Sequence, residues 1–316
     1  MNLPQPMASD VEQRMIARLS ALAPVEGYNL SALPDVRFLR SNRPLSRTPV
    51  LYEPGIVIVC QGRKRGFLGD DIYVYDAQHY LAVAVPVPFT METDASAEQP
   101  MLAIYLRLDF QVVADLLLQL EEMHCVVDAA PKGLFSTAMD ARMGESVVRF
   151  LEAMSSPLEA CLLGPALIRE IYFRVLTGEQ GASMRAALTN KGQFGKVATA
   201  LRRIHRCYSE DLSVELLARE ANMSIPSFHA HFKSVTNTSP MQYLKSTRLH
   251  QARLLMVRND MPAATASNRV GYESPSHFGR EFKRLFGRTP VQEVQWMKRT
   301  FAYPDPGPSE LYVSSH

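Results

Sequence analysis

Two stretches of the chain, 224–240 and 274–290, repeat one pattern at a fixed offset of fifty residues. Ser224, Phe228, Phe232, Lys233 and Pro240 return as Ser274, Phe278, Phe282, Lys283 and Pro290. A duplication of this size folds as one small supersecondary unit made twice, which excludes most architectures for the C-terminal third. In the second copy, Ala263, Ala266, Ser267 and Val270 follow the i, i+3, i+4, i+7 spacing of a short helix with one buried stripe. Gly271 follows, suited to the left-handed backbone that ends a helix and turns the chain. Ser274 is placed to cap a further helix, with Pro275 in its first turn, where no amide bond is lost. Phe278 and Phe282 bury one face of that helix, and Ser276, Arg280, Lys283 and Arg284 project elsewhere.

The first copy reads the same way. Val214, Leu217, Ala218 and Ala221 make the opening stripe, Asn222 stands at the turn, Ser224 caps, and Phe228, Phe232 and Val235 point inward. After Gly, Asn is the residue that tolerates the left-handed conformation best. A short helix, a tight turn and a second helix with a polar outer face is a helix-turn-helix. Its second helix fits the major groove of DNA while surrounding Lys and Arg meet phosphates.

Between the copies, the segment "SPMQYLKSTRLHQARLLM" (239–256) predicts a helix that starts at Pro240 and keeps Tyr243, Leu244, Thr247, Ala252 and Leu255 on one stripe. At 1.5 Å per residue it spans about 25 Å, a rod able to hold two recognition helices near one DNA turn, about 34 Å, apart. Ahead of the first copy, Phe194, Val197, Ala198, Leu201, Ile204 and Tyr208 predict another amphipathic helix, with Arg202, Arg203 and Arg206 on its outer side. Charge divides accordingly. Residues 191–300 hold 18 Lys and Arg against 8 Asp and Glu, a net of +10, inside a chain whose total is only +2. A basic third joined to an acidic remainder suits a polyanionic partner.

With these residues in place, 191–300 resembles the DNA-binding region of the AraC/XylS family of bacterial transcription regulators. The most specific stretch is "RVGYESPSHFGREFKRLFGRTP", and "LSVELLAREANMSIPSFHAHFKSVTNTSP" and "RLHQARLLM" agree with it. The resemblance implies base-reading positions at Pro226, His229 and Ala230 in the first unit and at Ser276, His277 and Arg280 in the second. Lys233, Lys283 and Arg284 join them on the DNA side. Ala230 stands where many members carry a long polar side chain, which implies weaker reading by the first helix. Gly279 departs too, lowering helix propensity by up to about 1 kcal/mol.

Residues 48–108 carry β-branched and aromatic runs broken by Gly, Pro and Asp, the pattern of an antiparallel sheet or barrel. Strands are expected at 56–61, 64–69, 72–75, 79–85, 88–93 and 102–108. Helical spacing follows at Val112–Leu120, Met139–Leu151 and Leu162–Val175, and 179–192 reads as a linker. "LYEPGIVIVCQGRKR", "YLAVAVPVPF" and "MLAIYLRLD" resemble the cupin-like N-terminal domain of one branch of the same family. That resemblance implies a small barrel with helices that dimerise, sensing a small molecule or a partner.

Within the barrel, His79 lacks the companion His and Glu that a cupin metal site needs, so it reads as a strand or turn residue before it reads as a pocket residue. Cys60 reads as a buried apolar thiol, with a redox sensor the alternative. Gly62–Arg65 reads as a solvated hairpin tip, with an anion or docking patch the alternative. Tyr52, Tyr73, Tyr75 and Tyr80 cluster, either as core or as pocket lining. Tyr52, Cys60, Tyr75 and His79 are the candidate ligand-contacting residues.

The expected fold is α+β: an N-terminal arm (1–23), a cupin-like β-barrel with helices (24–178), a linker (179–192), an all-α domain with two helix-turn-helix units joined by a long helix (193–300) and a disordered tail (301–316). The four cysteines, Cys60, Cys125, Cys161 and Cys207, are far apart, and no apolar run approaches a membrane span or a signal-peptide core. A cytoplasmic homodimer acting on double-stranded operator or promoter DNA is expected, with RNA polymerase and a small-molecule effector as candidate partners, no membrane and no cofactor. The expected function is sequence-specific transcription regulation, not catalysis. The rivals are a barrel enzyme tethered to DNA and a ligand-free oligomerisation module.

Overall fold

The computed structural model describes residues 9–123, 129–189 and 192–300. The tail, the first eight residues of the arm and Cys125 lie outside the described residues.

The chain opens with α1 (Ser9–Leu22), which buries Val11, Met15 and Leu19 at four-residue spacing. Nine strands follow: β1 (Gly27–Leu30), β2 (Val36–Ser41), β3 (Leu45–Tyr52), β4 (Gly55–Gln61), β5 (Arg63–Leu68), β6 (Asp71–Asp76), β7 (His79–Val83), β8 (Val87–Asp94) and β9 (Met101–Arg107). A tenth, β10 (Leu134–Ala138), lies after α2 (Phe110–Glu122) and pairs with β7. Every pairing is antiparallel, in the order β1-β2-β9-β4-β7-β6-β5-β8-β3. The six expected strands are β4 to β9. The expectation missed β1, β2, β3 and β10.

Helices α3 (Ala141–Met154) and α4 (Pro157–Thr177) pack on each other, and α1 packs on α3, β4 and β9. Both faces of β4 and β9 are therefore covered, and β4 runs buried from Gly55 to Cys60. Within 179–192 the chain forms a helix, α5 (Gly181–Leu188), that buries Met184 and Ala187.

The C-terminal part is helical: α6 (Gly192–Cys207), α7 (Val214–Glu220), α8 (Ile225–Thr236), α9 (Pro240–Arg258), α10 (Ala263–Arg269), α11 (Pro275–Phe286) and α12 (Pro290–Thr300). Helix α9, at 19 residues, is the rod expected between the repeats. No helix among the described residues is long and apolar enough to cross a membrane.

The two helix-turn-helix units sit differently. Phe228, Phe232 and Tyr243 belong to a buried cluster continuous with the barrel core. Phe278, Phe282 and Phe286 form a separate cluster with Leu249, Ala252, Ala266 and Val270. Each such ring contributes roughly 1.5–3 kcal/mol of burial. Among the described residues, side chains of the helical domain donate to barrel carbonyls: Asn237 to Leu68 (2.9 Å), Tyr243 to Pro86 (2.8 Å) and Arg253 to Pro49 (3.0 Å). Pro49 is tolerated in β3 because that strand ends the sheet and pairs only with β8.

Candidate nucleic-acid interface

Helices α8 and α11 are both 12 residues long, begin with Pro in the first turn and end on a left-handed residue. Asn237 (φ 55°) closes the first by donating its amide to Lys233, and Gly287 (φ 74°) closes the second through Lys283. The fifty-residue offset of the sequence is thus an offset of caps as well as of side chains. The turns are also equivalent. Asn222 (φ 51°) and Gly271 (φ 87°) take the left-handed conformation, and the next residues, Met223 and Tyr272, donate to Ala218 and Ser267. That six-to-one bond is the Schellman closure of a helix. One departure appears at the starts. Ser274 accepts from the His277 amide at 3.3 Å, whereas Ser224 holds the capping backbone without a side-chain bond.

The anchoring rings lie beneath these helices. Phe228 and Phe232 stand 5.4 Å apart, as do Phe278 and Phe282, and all four are buried. With the rings inward, the i+1 and i+2 positions point out. Pro226, His229, Ala230 and Lys233 are exposed on α8, and Ser276, His277, Arg280, Lys283 and Arg284 are exposed on α11. The structure therefore brings the expected residues of each unit onto one outer face.

The cations on those faces are not equivalent. Arg284 pairs with Glu281 at 2.8 Å, and Lys245 approaches the same carboxylate at 3.9 Å. Arg280, Lys233 and Lys283 form no ion pair among the described residues. His277 leans on the Tyr272 ring, 5.8 Å between centroids. On α6, Arg203 is tied to Glu210 (3.0 Å) and Glu220 (3.5 Å), so it adds less free charge than its position on the predicted outer row implied.

In the barrel, the candidate residues separate. Tyr52 and Tyr75 meet inside, hydroxyl to hydroxyl at 3.3 Å, and burial pushes both phenols up. Cys60 is wholly buried on β4, and burial pushes its thiol up to about 12, away from the reactive thiolate range. His79 stands apart at the β6–β7 turn, half-exposed, with Nδ1 2.9 Å from Asp76. Sequence reasoning missed Lys64. The hairpin-tip reading is corrected here: Arg63 is exposed, but Lys64 points into the barrel, 1% exposed, because side chains alternate along β5. Burial lowers its ammonium to about 7. The signal was present, since strand alternation through 63–65 sends the middle residue to the opposite face.

Glu53 was missed as well. It lines a cleft of about 870 Å³ between the barrel and α6, with Val85, Pro86, Leu108, Leu201 and Arg206. Burial raises its carboxyl to about 7, against the opposing fields of Arg107 and Arg37.

Comparison with known proteins places this architecture. Residues 32–183 match the family described as the AraC-type transcriptional regulator N-terminus, and residues 217–294 match a helix-turn-helix domain family. The chain is 33% identical over 95 residues to the HTH-type transcriptional regulator AlkR of Acinetobacter baylyi, covering 30% of this chain and 31% of AlkR. It is 40% identical over 78 residues to the RCS-specific HTH-type transcriptional activator RclR of Escherichia coli K12, covering 25% of this chain and 28% of RclR. The chain thus spans about a third of the length of these curated relatives. Its fold is similar to that of unsaturated fatty acid-bound ToxT from Vibrio cholerae, with a TM-score of 0.55 at 11% identity over 88% of this chain and all of that one. A regulator-type N-terminal domain ahead of a duplicated helix-turn-helix makes the chain a member of the AraC/XylS family of transcription regulators.

Proposed function

We propose that the protein is a sequence-specific DNA-binding transcription regulator in which α8 and α11 enter successive major grooves. The carrying observation is the pair of identically closed helices, each anchored by two buried rings and each presenting an unpaired cation outward, Lys233 and Lys283, with Arg280 beside the second. Pro226, His229, Ala230, Ser276, His277 and Arg280 face base edges, and Lys233, Lys283 and Arg284 face phosphates. Affinity then rests on counterion release and falls steeply with salt.

The barrel domain acts as the sensor of a small-molecule effector, with Tyr52 and Tyr75 on its inner wall and Cys60 and His79 as the lesser candidates. Two features support this reading: an interior amine, Lys64, and the interdomain cleft of drug-like volume. The exposed Leu158, Leu162 and Leu163 on α4 support a homodimer. RNA polymerase is the partner through which such a regulator acts, and the cytoplasm is its place of action. The barrel is a sensor rather than an enzyme in this reading, as the curated relatives that the chain matches are transcription regulators.

The test is binding to DNA selected from a random pool, followed by titration across salt. A specific site with two protected segments about 10 bp apart and a steep negative salt slope is expected. Recovery of no sequence from the pool, with a slope near zero, overturns the reading. Metal analysis and a search for turnover of any ligand that raises the melting temperature separate the sensor from a DNA-tethered enzyme.

A further inference from the structure

The cleft between the barrel and α6 carries opposite charges on its two walls. On the barrel wall stands Glu53, half-buried, whose carboxyl has no hydrogen bond or ion pair among the described residues. Its neighbour Arg107 is already engaged by Asp35. On the α6 wall stands Arg206, exposed and likewise without an ion pair among the described residues. The lining between them is apolar, with Val85, Pro86, Leu108 and Leu201. At about 870 Å³ the cleft has the size of a small-molecule site.

We propose that this cleft binds an amino acid with a large apolar side chain. Its ammonium sits on Glu53, its carboxylate on Arg206, and its side chain on the apolar lining between them. The charge pattern selects a zwitterion over either single ion. A simple acid pairs Arg206 but lies in the same cleft as an unpaired carboxylate, and a simple amine reverses the fault. A zwitterion enters with no net charge and supplies a partner to each wall, which limits the desolvation left uncompensated.

The same cleft meets the contact between the domains. Two of its lining residues, Pro86 and His205, are the ends of a hydrogen-bond chain through Tyr243. Tyr243 has one hydroxyl proton and donates it to the Pro86 carbonyl at 2.8 Å. The phenol oxygen therefore accepts from His205 Nε2–H at 2.6 Å. Burial lowers His205 to about 4, so the ring carries out this role uncharged. A ligand that grips Glu53 on one domain and Arg206 on the other favours the docked arrangement, because only that arrangement brings both walls together. The inference deepens the sensory reading and rests on it, and it places the ligand at the domain boundary.

The experiment is calorimetric titration of the full chain with L-phenylalanine at pH 8. Two analogues run beside it: 3-phenylpropanoate, which lacks the amine, and 2-phenylethylamine, which lacks the carboxylate. Burial raises the Glu53 carboxyl to about 7, against the fields of Arg107, Arg37 and Arg258 and with that of Asp35, so it is mostly ionised at pH 8. Phenylalanine is expected to bind about tenfold more tightly than either analogue, and to lose most of that margin over 3-phenylpropanoate at pH 6. Glu53→Gln is expected to weaken phenylalanine about tenfold and leave 3-phenylpropanoate unchanged. Arg206→Gln is expected to weaken phenylalanine and leave 2-phenylethylamine unchanged. A folding defect would not produce those two opposite selectivities. No binding of phenylalanine, equal binding of the three compounds, or variants that bind phenylalanine as the wild type does overturns the proposal. In that event a melting-temperature rise with a metabolite of another class leaves the sensory reading standing, and no rise with any class removes both.

Discussion

Arg253 of α9 and Glu293 of α12 form an ion pair at 3.1 Å in which neither side chain reaches solvent, at 0% and 1% exposure. The same guanidinium donates to the Pro49 carbonyl of the barrel, bonds His250 Nδ1 at 3.1 Å and lies 4.2 Å over the Phe286 ring. Burial and the neighbouring guanidinium hold His250 well below the usual imidazole range, so its neutral ring accepts at Nδ1. One side chain thus joins α9, α11, α12 and the barrel. Such a pair adds little net stability over a well-packed apolar set, but breaking it strands a charge.

The first prediction concerns that stranded charge. Glu293→Ala is expected to cost about 3–5 kcal/mol in urea unfolding, since both Arg253 and Arg288 lose their carboxylate. Glu26→Ala breaks the surface pair with Arg43 and is expected to cost no more than about 1 kcal/mol. Equal losses for the two variants would show that the Arg253 pair is as wet as the surface one.

Arg280 and the two repeat lysines are expected to fail differently. Arg280→Ala removes an unpaired guanidinium from the outer face of α11 and is expected to cost roughly 1–3 kcal/mol at cognate DNA, relaxing one base position. Lys233→Ala and Lys283→Ala are expected to weaken binding by similar factors at every site variant, and to lower the salt slope by about one each. A panel of operator variants titrated at several salt concentrations separates the two patterns. A base-specific loss at either lysine contradicts the assignment.

The repeat was legible because each of its physical parts is local: a cap, a turn residue and rings four apart. The barrel was legible where strands are bounded by turns, at β4 to β9, and illegible elsewhere for separate reasons. β2 is buried at five of six positions and so shows no alternation. β3 carries Pro49 and a register shift between Leu45 and Thr48. β10 finds its partner β7 across more than fifty residues, which no local pattern records. The docking of the two domains was out of reach altogether. It runs through side chain-to-carbonyl bonds such as Tyr243 to Pro86, and a carbonyl has no sequence signature. Lys64 was hidden by composition, because "RKR" reads as solvent-facing until the strand period is imposed on it.

Lys64 also gives the protein a characteristic pH dependence. Its folded value, about 7, lies below the unfolded value near 10.4, so the unfolded chain binds more protons between those limits. Stability is therefore lowest with respect to this group below pH 7 and rises as pH climbs from 7 toward 10. Lys64→Met removes the cost and is expected to stabilise the protein at pH 7 by several kcal/mol, on the order of 4. The advantage shrinks through pH 9 to 10. Urea titrations of both proteins at pH 6, 8 and 10 check this. A gain that does not change with pH would mean that the amine is solvated in the native state.

Two glycines of the second unit are expected to respond to alanine with opposite signs. Gly271 has φ 87°, and a Cβ there would lie 2.6 Å from the Ser209 carbonyl oxygen. Gly271→Ala thus combines left-handed strain of about 1–2 kcal/mol with a backbone clash, and the turn between α10 and α11 is expected to open. Gly279 sits inside α11 with nothing within 4 Å of the point where an alanine methyl would stand. Gly279→Ala is therefore expected to stabilise by about 0.5–1 kcal/mol through helix propensity alone. The same open space lies on α11 next to Arg280, so the DNA assay decides what the glycine is for. If Gly279→Ala melts higher but binds the selected site more weakly, the missing side chain allows the helix close to the duplex. Unchanged affinity would mean that the position is free of DNA, and that α11 approaches the groove by its Ser276 and Arg280 edge.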